Sequence, residues 1–175
     1  MSSSVFQTVL SHPLIRKPLS YVARTLDWTQ NQQRYGEYRA TYDIAESFTF
    51  QGESTKLNGD GEIQIDPGGY IGGSCKITCV PGTAVHIGRC CAIGSNVRLY
   101  TQNALPEQSR LDKSDRRTSE GDVELGEGVW IGDNVFITED TTIGANSVIG
   151  ENSVVTEDID SNTLAAGALR SRFGR

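Results

Sequence analysis

Aliphatic residues recur every six positions in the C-terminal part of the chain. A spacing of six fits neither the 3.6-residue period of an amphipathic helix nor the two-residue alternation of a strand. The repeat is therefore a structural unit in its own right, a short strand followed by a corner. The series consists of Leu125, Ile131, Ile137, Ile143, Ile149 and Val155.

The residues between these aliphatic positions support the same unit. The fourth position after each one is small or β-branched, and the pairs in between are typical of corners, since Asn, Asp and Gly tolerate left-handed backbone conformations. We expect three units to close one coil of about 18 residues, and coils to stack about 4.8 Å apart. The small positions are Val129, Val135, Thr141, Ser147, Ser153 and Ile159, and the corner pairs include Asp133-Asn134, Glu139-Asp140, Ala145-Asn146 and Glu151-Asn152.

The period extends towards the N-terminus with two interruptions. Ile65, Ile71 and Ile77 are in step, and so are Ile87, Ile93 and Leu99, with a break in register around Pro81. Residues 101–122 carry no repeat and predict a loop extruded between coils. Residues 45–175 are therefore predicted to form one repeat domain that contains this loop.

The first 44 residues carry no six-residue repeat. Leu19, Val22 and Leu26 predict an amphipathic helix after Pro18, followed by the polar stretch 29–34. We interpret residues 1–44 as an N-terminal helical cap that covers the open end of the coil stack, where exposed strand edges would aggregate. The alternative is contact with a partner or a membrane surface through Arg16, Lys17 and the apolar residues before them.

Composition limits the function. The chain has 175 residues with 16 basic and 22 acidic side chains, a net charge of −6, which disfavours a nucleic-acid partner. No apolar run is long enough to span a membrane, and the N-terminus does not look like a signal peptide, so the sequence predicts a cytoplasmic protein. The acidity is compatible with a salt-adapted source or with ordinary bacterial acidity.

Four cysteines fall within a short stretch of the repeat. Cys75 and Cys91 occupy the fourth-after-aliphatic position, which predicts that they fill the core as small apolar groups. The CxxC-like spacing of a zinc site is absent among Cys75, Cys79, Cys90 and Cys91, so no metal is expected, although a disulfide or a metal stays open as an alternative.

The C-terminal segments resemble a known family. They are Val123-Glu-Leu-Gly-Glu-Gly-Val-Trp-Ile-Gly-Asp-Asn-Val, Ile143-Gly-Ala-Asn-Ser-Val-Ile-Gly with its continuation, and Asn162-Thr-Leu-Ala-Ala-Gly. They are similar to the hexapeptide-repeat O-acetyltransferases of the galactoside and maltose type. The resemblance implies an all-β solenoid, a left-handed parallel β-helix, although parallel crossovers are generally right-handed. It also implies a homotrimer that uses acetyl-CoA as acyl donor and a small sugar as acceptor.

The chain departs from this family at the general base. The family pattern is close to Tyr-Thr-x-Asn-His, whereas this chain has Tyr100-Thr101-Gln102-Asn103-Ala104. A changed mechanism, a catalytically silent protein and an engineered His→Ala substitution all remain open. Only His12 and His86 could replace the base, and His86, directly before Ile87, is the candidate catalytic residue.

The resemblance also implies binding residues. Asn103 and Trp130 match substrate-binding positions of the family. Independently of the resemblance, the charged loop is either a solvated flap or a lid that reaches a neighbouring subunit, and as a lid it would offer Arg116 and Arg117 to a carbohydrate or phosphate group. Thr156, Arg170 and Arg172 correspond to residues that bind coenzyme A. Two histidines are too few for the three-histidine zinc site of the β-helix carbonic anhydrases, unless thiolates substitute.

The sequence thus predicts an acyl-CoA-dependent O-acetyltransferase acting on a sugar or sugar-like hydroxyl, without its usual base. The alternative is a catalytically silent β-helix that serves as a binding module or trimeric scaffold.

Overall fold

The computed structural model describes residues 13–105 and 117–169. They fall into two compact units, divided between Glu37 and Tyr38. The six-residue repeat lies in the second unit.

Helix α1 spans Pro13–Thr41. It begins before Pro18 and continues through the polar stretch that the sequence placed after the helix. The hydroxyls of Thr25 and Thr29 each donate to the carbonyl four residues earlier, both at 2.8 Å, so these polar residues are accommodated within the helix. Among the described residues, no helix is long and apolar enough to cross a membrane. Several large apolar side chains of α1 are exposed, namely Tyr21, Val22, Leu26 and Trp28.

The second unit consists of three parallel sheets of very short strands, numbered in chain order. Sheet A contains β1 (Asp43–Ile44), β4 (Glu62–Ile65), β7 (Ala84–Ile87), β12 (Val123–Leu125) and β15 (Thr141–Ile143). Sheet B contains β2 (Thr49–Phe50), β5 (Tyr70–Ile71), β8 (Ala92–Ile93), β13 (Trp130–Ile131), β16 (Val148–Ile149) and β18 (Leu164–Ala165). Sheet C contains β3 (Lys56–Asn58), β6 (Lys76–Thr78), β9 (Arg98–Tyr100), β14 (Phe136–Ile137), β17 (Val154–Val155) and β19 (Ala168–Leu169).

The chain visits sheets A, B and C in turn, so each coil adds one strand to each sheet, except that the last coil joins sheet A only through a bridge from Ile159 to Ile143. This arrangement confirms the predicted parallel stacking of six-residue units. The stack begins earlier than the sequence indicates, because β1, β2 and β3 pair with β4, β5 and β6. The six-residue period does not extend to the first coil, because its aligned residues, Ile44, Phe50 and Leu57, are not evenly spaced.

The core consists of columns of inward-pointing, mostly aliphatic side chains, one column along each parallel sheet. In sheet B, Ile71, Ile93, Ile131 and Ile149 follow one another in register and are 0% exposed. Between the columns lie the smaller side chains of the fourth positions, such as Val129, which is also 0% exposed. Complete burial of such an aliphatic side chain contributes about 1.5–3 kcal/mol, so the columns supply most of the stabilisation.

Cys75 and Cys91 lie in the core, as the repeat predicts. Cys75, Cys79 and Cys91 are buried, Cys90 is exposed, and all four thiols are free. Burial raises the pKa of Cys91 to about 11, and burial also raises the pKa of Cys75 and Cys79. These three thiols are therefore protonated core groups at neutral pH.

The corners use left-handed residues, as expected. Asn96, Asn134 and Asn152 have φ values of 55°, 59° and 60°. Their side chains form a ladder in which Asn96 Nδ2 donates to Asn134 Oδ1 at 2.8 Å and Asn134 Nδ2 donates to Asn152 Oδ1 at 3.2 Å. Asparagine at these corners thus supplies both the backbone conformation and a bond between coils.

The extruded loop leaves the stack after β9. Its base is an antiparallel hairpin of β10 (Gln102–Ala104) and β11 (Thr118–Glu120), which pairs Asn103 with Ser119. The chain then returns to the stack through Gly121.

Candidate active site

A cleft lies where the strands of sheet C end and the loop begins. Its volume is about 300 Å³, and it is open to solvent. The hairpin supplies one wall, and the residues after β14 and β17 supply the rest. The lining residues are Asn103, Ser119, Thr138, Glu139, Asp140 and Thr156.

The central contact of the cleft joins Asn103 to Glu139. The side-chain amide of Asn103 donates from Nδ2 to Oε2 of Glu139, and both side chains are half-buried. Asn103 itself is held by the pairing of β10 with β11. The amide therefore fixes the orientation of a carboxylate that faces the cleft.

The corner that presents Glu139 is tightly built. Asp140 adopts a φ of 54°, and the Thr141 hydroxyl donates to the carbonyl of Glu139 at 3.3 Å. A Cβ atom added to Gly121 would lie 2.7 Å from the backbone nitrogen of Asp140. The returning loop strand can approach this corner only because residue 121 has no side chain.

Thr156 reaches the cleft from β17, as the sequence suggests for a binding residue. Its hydroxyl donates to the carbonyl of Leu169 at 2.8 Å, so the oxygen lone pairs remain available as acceptors. Asn103 and Thr156, two residues predicted from the resemblance, therefore line one cleft.

Ala104 lies at the end of β10, opposite Thr118 and directly after Asn103. Its side chain is exposed. Ala104 does not line the cleft, and alanine supplies no titratable group at this position.

His86 lies elsewhere in the second unit. It is on the outer face of β7, where Nε2 is 3.3 Å from Asp66 Oδ2 and Nδ1 is 3.8 Å from Glu124 Oε1. It does not line the cleft that contains Asn103 and Glu139. Both ring nitrogens thus face carboxylates on neighbouring coils.

Trp130 is on the outer face of sheet B, 56% exposed. It is in register with Ala92 and Val148, and Leu164, next along the same face, is 79% exposed. Trp130 does not line the cleft within this chain.

The arginines predicted as ligands are only partly described. Arg117 is exposed at the start of the returning strand, and its carbonyl accepts from the Leu105 amide at 3.1 Å. Arg116, Arg170 and Arg172 lie outside the described residues, as does His12. Among the described residues, no group of three or more His, Cys, Asp or Glu side chains could hold a metal ion.

The sequence does not predict the carboxylates of the cleft. The repeat indicates only a corner pair at Glu139 and Asp140. Their position in the coil after the loop, one corner beyond β14, is the signal that could have placed them beside Asn103.

Comparisons with known proteins agree with this structure. Residues 122–157 match the family model for the bacterial transferase hexapeptide (six repeats). A hexapeptide-repeat-containing acetyltransferase from Vibrio cholerae, complexed with acetyl coenzyme A, is 25% identical with a TM-score of 0.62. The match covers 90% of this chain and 86% of that chain.

Two further solved structures extend the comparison. A galactoside acetyltransferase in complex with coenzyme A is 29% identical with a TM-score of 0.51, over 65% of this chain and 60% of that one. An N-acyltransferase from Bacillus cereus, 16% identical with a TM-score of 0.50 over 78% and 86% of the two chains, shares the fold. No curated protein sequence matches significantly. The chain therefore carries bacterial transferase hexapeptide repeats and resembles the hexapeptide-repeat acetyltransferases, which confirms the resemblance stated from the sequence.

Proposed function

We propose that this protein is an acyl-CoA-dependent O-acetyltransferase that acts on a sugar or sugar-like hydroxyl, with the Glu139 carboxylate as proton acceptor. The observation that carries the proposal is the half-buried carboxylate held by Asn103 in the cleft. It lies beside the hairpin position at which the resembling family has its histidine. The similar protein from Vibrio cholerae binds acetyl coenzyme A, which supports the choice of donor.

The chemistry requires one proton acceptor. As the acceptor hydroxyl attacks the thioester carbonyl, its proton passes to Glu139, the new C–O bond forms, and the C–S bond breaks. Glu139 then returns the proton to the departing thiolate, which leaves as the free thiol of coenzyme A. Asn103 keeps the carboxylate in one orientation, and a positioned base typically contributes a factor of about 10²–10⁴ in rate.

The donor would enter beside Thr156, whose hydroxyl oxygen can accept a hydrogen bond from an amide of the pantetheine arm. Arg170 and Arg172 remain proposed contacts for the nucleotide phosphates. Arg116 and Arg117 remain proposed contacts for the acceptor.

We also propose that the coil is a left-handed β-helix and that the protein is a homotrimer. The stripe of exposed Trp130, half-buried Val148 and exposed Leu164 on sheet B supports an interface between copies, since such apolar faces are usually covered. In a trimer Trp130 would contribute to the acceptor pocket of a neighbouring copy, as the resemblance implies.

Two alternatives compete with this mechanism. His86 is the other candidate base, because histidine is the side chain that acts most often as a general base. A catalytically silent scaffold is the other function, and the specific observation in its favour is Ala104.

One experiment separates these possibilities. Acetyl-CoA binding is measured by calorimetry, and free thiol release is followed with a panel of sugars for the wild-type chain, Glu139→Gln, Asp140→Asn and His86→Ala. We expect Glu139→Gln alone to lower kcat about 10²–10⁴-fold, with Asp140→Asn as the matched control. Loss of activity in His86→Ala but not in Glu139→Gln would transfer the role to His86. No acetyl-CoA binding by the wild type or by Ala104→His would establish the scaffold instead.

A further inference from the structure

Three cations are aligned on the outer face of sheet C. The register pairs Lys56 with Lys76 and Lys76 with Arg98, so the three side chains leave neighbouring strands at equivalent positions. Adjacent strands lie about 4.8 Å apart, which places the three side-chain origins within about 10 Å. We call this set the basic ladder.

The basic ladder is unusual for this chain. The protein carries a net charge of −6 and only four lysines in total, and two of the four are in the ladder. None of the three side chains forms an ion pair with a carboxylate of residues 13–105 or 117–169. Arg98 contacts only a neutral group there, donating from Nη2 to Asn96 Oδ1 at 3.4 Å.

Like charges at directly paired strand positions repel one another, so the ladder costs stability when nothing binds it. An uncompensated row of cations on an acidic protein therefore points to an anionic ligand.

Aromatic rings continue the same face. Phe136 follows Arg98 in register, and the rings of Tyr100 and Phe136 meet edge-to-face with centroids 5.2 Å apart. The Lys76 ammonium lies over the Tyr100 ring, 5.2 Å from its centroid. Both rings are half-buried, which leaves an aromatic surface beside the cations that suits the apolar face of a sugar ring.

The ladder also leads towards the cleft. Tyr100 is the last residue of β9, and Asn103 comes three residues later on the hairpin. Phe136 is the first residue of β14, and Glu139 comes two residues after that strand ends. At about 3.3 Å per residue, Arg98 lies on the order of 10–15 Å from the cleft. A ligand of two or three sugar units could contact both regions.

We propose that the basic ladder, with Tyr100 and Phe136, binds the anionic groups of a charged saccharide, whose carboxylates or phosphates are spaced along the face of sheet C. The saccharide is the acceptor only if the proposed acetyl transfer is correct, whereas the anion site itself does not depend on that function. The overall negative charge disfavours nucleic acid as the ligand.

The test measures binding without acetyl-CoA, so that it is independent of catalysis. Trigalacturonate, glucose 6-phosphate and neutral maltotriose are titrated into the full chain by calorimetry at 50 mM and 500 mM NaCl. We expect at least one anionic probe to bind more tightly than maltotriose, and its affinity to fall at high salt as the charges are screened. The tighter of the two anionic probes identifies the carboxylate or the phosphate as the preferred group.

Variants connect this binding to the ladder. Lys56→Gln, Lys76→Gln and Arg98→Gln are each expected to weaken the anionic probe about 2- to 5-fold, and the triple variant about 10-fold or more. Arg89→Gln is the matched control, because it removes one exposed positive charge outside sheet C, and it should change affinity less than 2-fold. Circular dichroism confirms that the variants fold.

Three results would overturn the proposal. They are equal affinity for trigalacturonate, glucose 6-phosphate and maltotriose, unchanged binding in the folded triple variant, or tighter ladder-dependent binding of a single-stranded octanucleotide. Anion binding without acetyl transfer would retain the site and reject the proposed function. Acetyl transfer to neutral sugars without anion binding would retain the proposed function and reject the anion site.

Discussion

The side-chain amide of Asn103 donates a hydrogen bond to the carboxylate of Glu139, although 36 residues separate the two along the chain. Asn103 lies at the start of the extruded loop, and Glu139 lies at a corner of the following coil. This bond joins the loop to the coil stack at the cleft. It also places a carboxylate beside the position where the resembling family has a histidine and this chain has Ala104.

Removal of the amide should impair catalysis more than binding. In Asn103→Ala the Glu139 carboxylate loses its orienting donor, and a hydrogen bond to a charged group contributes about 1.5–3 kcal/mol. We expect kcat to fall about 10- to 100-fold while the Kd for acetyl-CoA changes less than 2-fold, measured by thiol release and calorimetry. Gln102→Ala is the control, since Gln102 is on the same strand but does not line the cleft. Equal effects of the two variants would contradict the role of Asn103.

An imidazole at position 104 should supply a second base in addition to Glu139. In Ala104→His the imidazole occupies the position at which the resembling family has its histidine, so kcat should rise only slightly in the wild type, where Glu139 already accepts the proton, and by about 10²-fold in the Glu139→Gln variant. The same substitution should rescue Glu139→Gln, because the imidazole then accepts the proton. Ala104→Asn, which adds a polar group of similar reach without a base, should give no rescue. If Ala104→His failed to rescue a folded Glu139→Gln variant, the cleft would not be where the proton is transferred.

A side chain at Gly121 should disturb the corner that carries Glu139. The new Cβ of Gly121→Ala would lie 2.6 Å from Asp140 Cβ and 2.7 Å from its nitrogen, which forces the two segments apart. We expect a loss of about 1–3 kcal/mol in the free energy of unfolding, measured in urea, together with lower activity. Gly36→Ala in α1 is the control, because an added Cβ would have no atom within 4 Å, and alanine favours a helix. If Gly121→Ala were as stable as the wild type, the corner at Asp140 would be able to shift and accommodate the added side chain.

Truncation of the core column should be costly. Ile131 is 0% exposed in the middle of the sheet B column, and Ile131→Ala should lower the free energy of unfolding by about 2–5 kcal/mol through lost burial and a residual cavity. Ile131→Val removes one methylene and should cost about 0.5–1.5 kcal/mol. Urea titrations of both variants measure the two losses in the free energy of unfolding. Equal small losses would indicate that the coil collapses around the cavity.

The thiols should differ sharply in reactivity. Cys90 is exposed, whereas Cys75, Cys79 and Cys91 are buried with a raised pKa, about 11 for Cys91. Because the thiolate is the reactive form, the three buried thiols should stay unreactive at pH 8. Mass spectrometry after iodoacetamide treatment should show one modified cysteine in the native protein and four in urea. Cys90→Ser should abolish native labelling, and labelling of that variant would show that the stack opens.

Local sequence was sufficient for the repeating part of the fold. Ile131 and its equivalents recur every six residues, and this spacing alone predicts inward columns, small fourth positions such as Val129, and asparagine corners such as Asn134. All three are properties of a single six-residue unit, so they can be recognised without knowing which coil lies next to which. The resemblance to hexapeptide-repeat acetyltransferases rests on the same local signals.

The tertiary structure decided which residues meet. Lys56, Lys76 and Arg98 are separated by 20 and 22 residues, not by an even 18, because corners of different length change the register from coil to coil. Only the hydrogen-bonded pairing of β3, β6 and β9 aligns them into the basic ladder.

The same holds for Asn103 and Glu139, which the extruded loop separates in sequence and the hairpin brings together. The six-residue period thus determined the scaffold, because every unit buries its aliphatic residue and its small residue at the same two positions. The pairing between coils determined the chemistry, because side chains on the outer surface meet only across strands.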